Sequence, residues 1–172
     1  MLSPSRPSKG FTLIEVLIAL FVLAIGLLGM ATLMMASMQS SQGASQRSAA
    51  TVAAYDLAER MRANRTQAAV AASPYAGNPA TAVLPLCFTD NTNTAGCSSA
   101  DIVLLDRAQW TANLRNTIPD AGASVQQINN TTFCIVIFWQ EPGVANTASV
   151  LVNNPCNVDP NGRAFYSLQV AL

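Results

Sequence analysis

Gly10-Phe11-Thr12-Leu13-Ile14-Glu15 opens an apolar run, Val16 to Ala36, in which Thr32 is the only polar side chain. At about 1.5 Å per residue, a helix over this run reaches across a bilayer core of roughly 30 Å. A carboxylate at the start of such a helix is unusual. A charge inside a membrane helix costs roughly 2.5–3.5 kcal/mol on insertion scales, so these residues are as a rule paired or functional. Ahead of the run stands a short basic leader, Met1 to Gly10, carrying Arg6 and Lys9. A secretory signal is cut after its apolar core, whereas here the processing point precedes the apolar segment. The positive-inside rule keeps the leader in the cytoplasm and places the C-terminal part across the membrane.

Lys9-Gly10-Phe11-Thr12-Leu13-Ile14-Glu15, followed by an apolar helix, resembles the class III signal of type IV prepilins and pseudopilins. The resemblance implies that a membrane-embedded prepilin peptidase cuts between Gly10 and Phe11 and methylates the new N-terminus, Phe11. It also implies that Glu15, four residues beyond that terminus, neutralises the terminal amine of a neighbouring subunit during assembly. A glutamate at the edge of a span could instead be solvated by headgroups or water. The full Gly-Phe-Thr-Leu-Ile-Glu context is far more specific than a lone glutamate and favours the assembly role.

The 172 residues fit one modest globular domain behind a long appended element. Apolar residues make up 51%, but so many lie in the N-terminal third that the remainder is polar, rich in Asn, Thr, Ala and Ser. Nine basic residues balance nine acidic ones, and loss of Arg6 and Lys9 with the leader leaves seven against nine. That leaves no basic patch for nucleic acid. The absence of histidine removes the commonest general base and nitrogen metal ligand. With no clustered nucleophile or carboxylate pair, an enzyme is the least supported class, and no cofactor or metal is implied. Cys87, Cys97, Cys134 and Cys156 all follow the membrane segment and show no Cys-x-x-Cys spacing, so disulfides in an oxidising compartment explain them best.

No proline occurs from Phe11 to about Ser73, and Ala49, Ala53, Leu57 and Met61 recur every four residues beside Val52. The spacing predicts that the helix continues beyond the membrane to Ser73, where Pro74 and Gly77-Asn78-Pro79 stop it. A helix of that extent would be roughly 90 Å long, far beyond an ordinary globular helix. Asp56 with Arg60 and Glu59 with Arg62 are expected on its solvated face. Gly26, Gly29 and Gly43 interrupt it, either to let it bend or to let neighbours pack closely.

Residues 74–99 read as irregular, with a polar loop Thr89–Thr94 between Cys87 and Cys97. Asp101–Ile118 reads as a second amphipathic helix burying Leu104, Leu105, Ala108, Ala112 and Leu114, with Trp110 packed or at its flank, ended by Pro119 and Gly122. Strands are expected at Ser124–Asn129, Thr131–Gln140, Ser149–Val152 and Ala164–Leu172, with turns at Asn129-Asn130 and Glu141-Pro142-Gly143. In the last, Tyr166, Leu168, Val170 and Leu172 alternate with Phe165, Ser167, Gln169 and Ala171, as on a strand with one face buried. Phe133, Phe138 and Trp139 read as core. The expected fold is α+β and type IV pilin-like: a long N-terminal helix packed on a small antiparallel sheet. Its expected parts are the leader 1–10, a transmembrane half-helix 11–36, a periplasmic half-helix 37–73 and a globular domain 74–172.

Ala24-Ile25-Gly26-Leu27-Leu28-Gly29 and the stretch Tyr55-Asp56-Leu57-Ala58-Glu59-Arg60-Met61-Arg62-Ala63-Asn64 resemble the PilV class of type IV pilus minor pilins. The likeness is good over residues 8–65 and general beyond. It implies a minor pilin that helps prime pilus assembly with other minor pilins and the major pilin, with a tip adhesin as a further candidate partner. The implied location is the inner membrane of a Gram-negative bacterium, with the C-terminal domain periplasmic, and then the pilus near its tip. A minor pseudopilin of a type II secretion system is the alternative, and a membrane-anchored binding domain that never polymerises is a third. Four cysteines allow three connectivities. Cys87–Cys97 would close the short polar loop, and Cys134–Cys156 would tie a core strand to the segment before the last strand, where pilins often carry a C-terminal disulfide loop.

Overall fold

The computed structural model describes residues 10–89, 96–141, 156 and 163–172. The chain divides into two units, Met1–Ser41 and Gln42–Leu172, and the helix α1 (Leu13–Ala63) contributes to each. In the first unit every large apolar side chain from Leu13 to Met38 is exposed. By length and composition α1 can cross a membrane, and none of its most apolar window is buried inside the protein. Apolar surface on this scale is stable only under lipid or protein.

In the second unit the helix gains an inward face, Gly43, Ala50, Ala54, Leu57, Ala58 and Met61. Against this face packs a three-stranded antiparallel sheet, β1 (Gly122–Asn129), β2 (Thr132–Trp139) and β3 (Ala164–Ala171), in that spatial order. The turn after β1 is held by Asn129, whose Oδ1 accepts from the Thr131 and Thr132 N–H groups at 3.0 and 2.8 Å. Phe133, Ile135, Ile137 and Trp139 of β2 join the helix-side core. Tyr166, Leu168 and Leu172 pack against that core from the β3 end, as their alternation requires.

β2 is buried on its other face as well, where Cys134 and Val136 cluster with Cys156 and Phe165. This explains its unbroken apolar sequence. Phe138 belongs to that second face and is only half-buried, contrary to the expectation of core. Its ring faces Gly122, where any Cβ would collide with it, and the Arg163 guanidinium lies over it at 5.4 Å from the ring centre. Cys87 pairs with Cys97 and Cys134 with Cys156, at Cα separations of 5.2 and 5.4 Å. The expected strand Ser149–Val152, most of the Thr89–Thr94 loop and the Pro142-Gly143 turn lie outside the described residues.

Three expectations need correction. First, α1 stops at Ala63, not Ser73. Asn64 turns the chain out of helical geometry (φ −111°, ψ 50°), and a single turn α2 (Arg65–Ala68) follows, with another single turn α3 (Leu86–Thr89) farther on. The Asn64 Nδ2 donates to the Ser99 carbonyl at 2.8 Å, a tertiary bond that outweighs the helix propensity of the alanines beyond. Second, Arg60 does not simply decorate a solvated face. It pairs with Asp56 at 3.1 Å and also with Asp106 of helix α4 (Ser99–Thr117) at 3.2 Å. Burial alone would pull its pKa down, but the two carboxylates hold it above its ordinary value. Asp106 also accepts from the hydroxyl of buried Tyr75 at 2.6 Å, and burial followed by this bond pushes the Tyr75 pKa far up.

Third, α4 is rotated from its expected orientation. It buries Val103, Trp110, Thr111 and Leu114, while Leu104 is 40% exposed and Ala112 is exposed. The cause is Trp110, fully buried, whose Nε1–H donates to the Ala53 carbonyl of α1 at 2.8 Å and so turns its own face inward. Trp110→Ala should lower the unfolding free energy of this unit by about 3–5 kcal/mol, read by urea unfolding followed through tyrosine near-UV circular dichroism. The α4 N-terminus carries a capping box in which Ser98 and Asp101 satisfy each other's backbone N–H groups. The Ser98 hydroxyl, then its backbone N–H, hold the Asp101 carboxyl below its ordinary range.

Between α2 and α4 the chain is held by side chains from outside it. Arg107 donates to the Pro74 and Asn78 carbonyls, each at 2.7 Å, and its own pKa is lowered by burial. Gly43 proves to be a matter of space: a Cβ there would strike the carboxylate of Glu141, which pairs with Arg47 at 3.0 Å. No Cβ contact is found at Gly26 or Gly29.

Candidate functional site

The site lies at the N-terminal end of α1, within the first unit. Thr12 begins the helix: its carbonyl accepts from the Glu15 N–H at 3.1 Å and the Val16 N–H at 3.4 Å. Thr12 and Glu15 therefore stand three residues apart at a helix start, the spacing of a capping box. Glu15 occupies the first turn, where the unsatisfied N–H groups and the positive end of the helix dipole favour a carboxylate.

Phe11, Glu15, Val16, Ala19, Leu20 and Leu23 border one shallow apolar hollow along the helix. Phe11 is 84% exposed just before the first turn, and a Cβ at Gly10, the residue before it, would meet nothing within 4 Å. The bond between them, where cleavage is expected, lies ahead of the helix. A free amine at Phe11 would be a positive charge at the positive end of a helix, and an unshielded one is unfavourable there. All four cysteines are in disulfides within the second unit. Among the described residues no group of His, Cys, Asp and Glu is arranged to hold a metal.

Two family patterns match the chain and adjoin without a gap. Residues 5–31 match the prokaryotic N-terminal methylation motif, and residues 32–108 match the type IV pilin Tt1218 domain. No curated protein and no solved structure matches closely enough to add to them. The first pattern covers the leader junction, Glu15 and most of the apolar run. The second covers the rest of α1, the Arg107-held segment and the first half of α4, the elements on which the sheet is built. Pilins of this kind are structural proteins processed by prepilin peptidase, anchored by the apolar helix and assembled with other pilins. Signal, exposed apolar helix and sheet-bearing α+β domain, with these two matches, support a type IV pilin family for this chain.

Proposed function

We propose that the chain is a minor pilin of the PilV class, made as a prepilin, cut between Gly10 and Phe11, methylated on Phe11, and used with other minor pilins to start pilus assembly at the inner membrane. The observation that carries this reading is the run Gly10 to Glu15 at the head of a wholly exposed apolar helix. Glu15 is then the counter-charge for the Phe11 amine of the neighbouring subunit, and the Leu13–Met38 surface is covered first by lipid and afterwards by other helices. The leader 1–10, the membrane half 11–36 and the C-terminal domain across the membrane follow as parts of this reading.

A priming subunit is needed in small number. Sheared pili should contain this protein beginning with N-methylated Phe11, far below the major pilin in amount and concentrated towards the tip. Quantitative mass spectrometry of filaments and immunogold labelling check both points. Absence from filaments, with secretion lost when the gene is deleted, would instead support the minor pseudopilin.

A further inference from the structure

Of nine basic side chains, seven remain once Arg6 and Lys9 are set aside with the leader, and most of them are engaged. Arg47 and Arg62 pair with glutamates, Arg60 pairs with two aspartates, and Arg107 is bound to main-chain carbonyls. Among the described residues, no hydrogen bond or ion pair reaches Arg65, Arg115 or Arg163. The last two border the same hollow of about 530 Å³ in the second unit, together with Asn78, Asp120, Gly122 and Phe138. Sites for small molecules enclose about 300–1,000 Å³. On a protein short of charge, two of the three unengaged cations therefore meet in one place.

The fold places each of these groups. Arg115 stands in the last turn of α4, where the helix dipole favours a cation but supplies no carboxylate. Arg163 lies over the Phe138 ring, whose face attracts the guanidinium while leaving its N–H donors unpaired. The ring in turn occupies space that a Cβ at residue 122 would take. Asn78 is pinned by Arg107 on its carbonyl and by the Ala80 N–H on its Oδ1, at 2.7 and 2.9 Å, and its Nδ2 has no partner among the described residues. Asp120 sits at φ 57°, in the left-handed region where glycine would relieve the backbone but would remove the carboxylate. Neither arginine of the hollow forms an ion pair with it.

We propose that this hollow binds a small hydroxylated carboxylate of the sugar-acid type, with its carboxylate on Arg115 and Arg163 and its hydroxyls on Asp120 and Asn78. Charge selects the ligand. Two guanidiniums against one carboxylate leave one unit of positive charge, which a single carboxylate closes. A phosphate ester, at about −1.5 to −2, overshoots that balance and is repelled by Asp120. A zwitterionic amino acid leaves the excess uncompensated, and a neutral sugar leaves both arginines unpaired. The planar guanidinium forks match a carboxylate, and the Asp120 carboxylate, an acceptor only, calls for hydroxyl donors on the same molecule. A free sugar acid and an acidic residue of a polysaccharide offer this same chemistry. The site goes beyond the pilin reading and does not depend on the subunit's place in a filament.

The probes are glucuronate, glucose 6-phosphate and glucose, which share one ring and differ at a single carbon. They are titrated into the full-length protein in detergent micelles, and binding is read by nuclear magnetic resonance from the arginine side-chain N–H signals and the amides of Ala121, Gly122 and Ala123. Glucuronate should shift these signals saturably at millimolar concentration, glucose 6-phosphate should bind more weakly, and glucose should not bind. Arg115→Gln and Arg163→Gln, both at exposed positions, should each weaken glucuronate at least about tenfold while signals elsewhere stay in place. Asp120→Asn should abolish the preference for glucuronate over the phosphate ester. A uronate oligomer that binds more tightly than the monomer would identify a polysaccharide as the source, and equal affinity would identify the free acid. Four results would overturn the proposal: no saturable shift at millimolar glucuronate, an equal response to glucose, tighter binding of glucose 6-phosphate by the unsubstituted protein, or glucuronate binding undiminished in both arginine variants.

Discussion

Glu15→Ala is expected to leave a protein that inserts, is cut and is methylated, yet does not enter filaments. Removing a carboxylate from the edge of an apolar helix makes insertion easier, if it changes it at all. Assembly is another matter. In the proposed assembly the Phe11 amine of one subunit would be carried into surroundings made of side chains such as Ile14, Leu17 and Ile18, all exposed on the isolated chain. Without its partner the amine is a buried, uncompensated charge, a loss of about 3–5 kcal/mol. Each 1.4 kcal/mol is about tenfold, so the docking equilibrium should fall by more than about a hundredfold. Fractionation and mass spectrometry establish localisation and processing, and counts of surface pili with probing of sheared filaments read assembly. A correctly processed variant that still enters filaments and supports normal piliation would remove the counter-charge role.

The second large effect is expected at Gly10→Val. A Cβ at position 10 meets nothing within 4 Å, so the substitution leaves the chain itself undisturbed. Any block must therefore arise in the peptidase, whose active site has to accommodate the bond after residue 10. The precursor should accumulate in the membrane with its leader attached and Phe11 unmethylated. An intact mass equal to that of the mature wild-type protein would refute the assignment of Gly10.

Much of this molecule is legible in its sequence, because the readable parts depend on local pattern. The apolar run declares α1, the Thr131–Gln140 segment declares a central strand, and alternation in β3 separates Tyr166 and Leu168 from Phe165 and Ser167, although Phe165 is part-buried on the other face as well. The failures have tertiary causes. Nothing local ends the helix at Ala63; the Asn64 bond to the Ser99 carbonyl does. Counting aliphatic residues on α4 favoured Leu104, whereas one indole reaching the Ala53 carbonyl fixed the rotation. Phe138 looked like core beside Phe133 and Trp139, but strand parity sends it to the opposite face, beneath Arg163. At the N-terminal site, Gly10, Phe11 and Glu15 were legible as a motif, while the part of Thr12 in starting the helix needed the backbone geometry.

The Arg107 anchorage shapes how this protein can change over time. Both of its short contacts are to main-chain carbonyls, at Pro74 and Asn78. A guanidinium bound to carbonyls does not read side chains. The sequence has no charged residue from Thr66 to Thr89, and that stretch supplies exposed Val83, Leu86 and Phe88. The exposed side chains there, Val83, Leu86 and Phe88, can be exchanged one after another while the grip on the backbone persists, whereas buried Tyr75 and disulfide-bonded Cys87 are held by their own contacts. The outer face can thus drift without disturbing the fold, provided the arginine is kept. A lysine, with a point charge and no planar fork, could not hold both carbonyls in the same geometry. Variation on this surface and constancy at Arg107 are two consequences of one pair of hydrogen bonds.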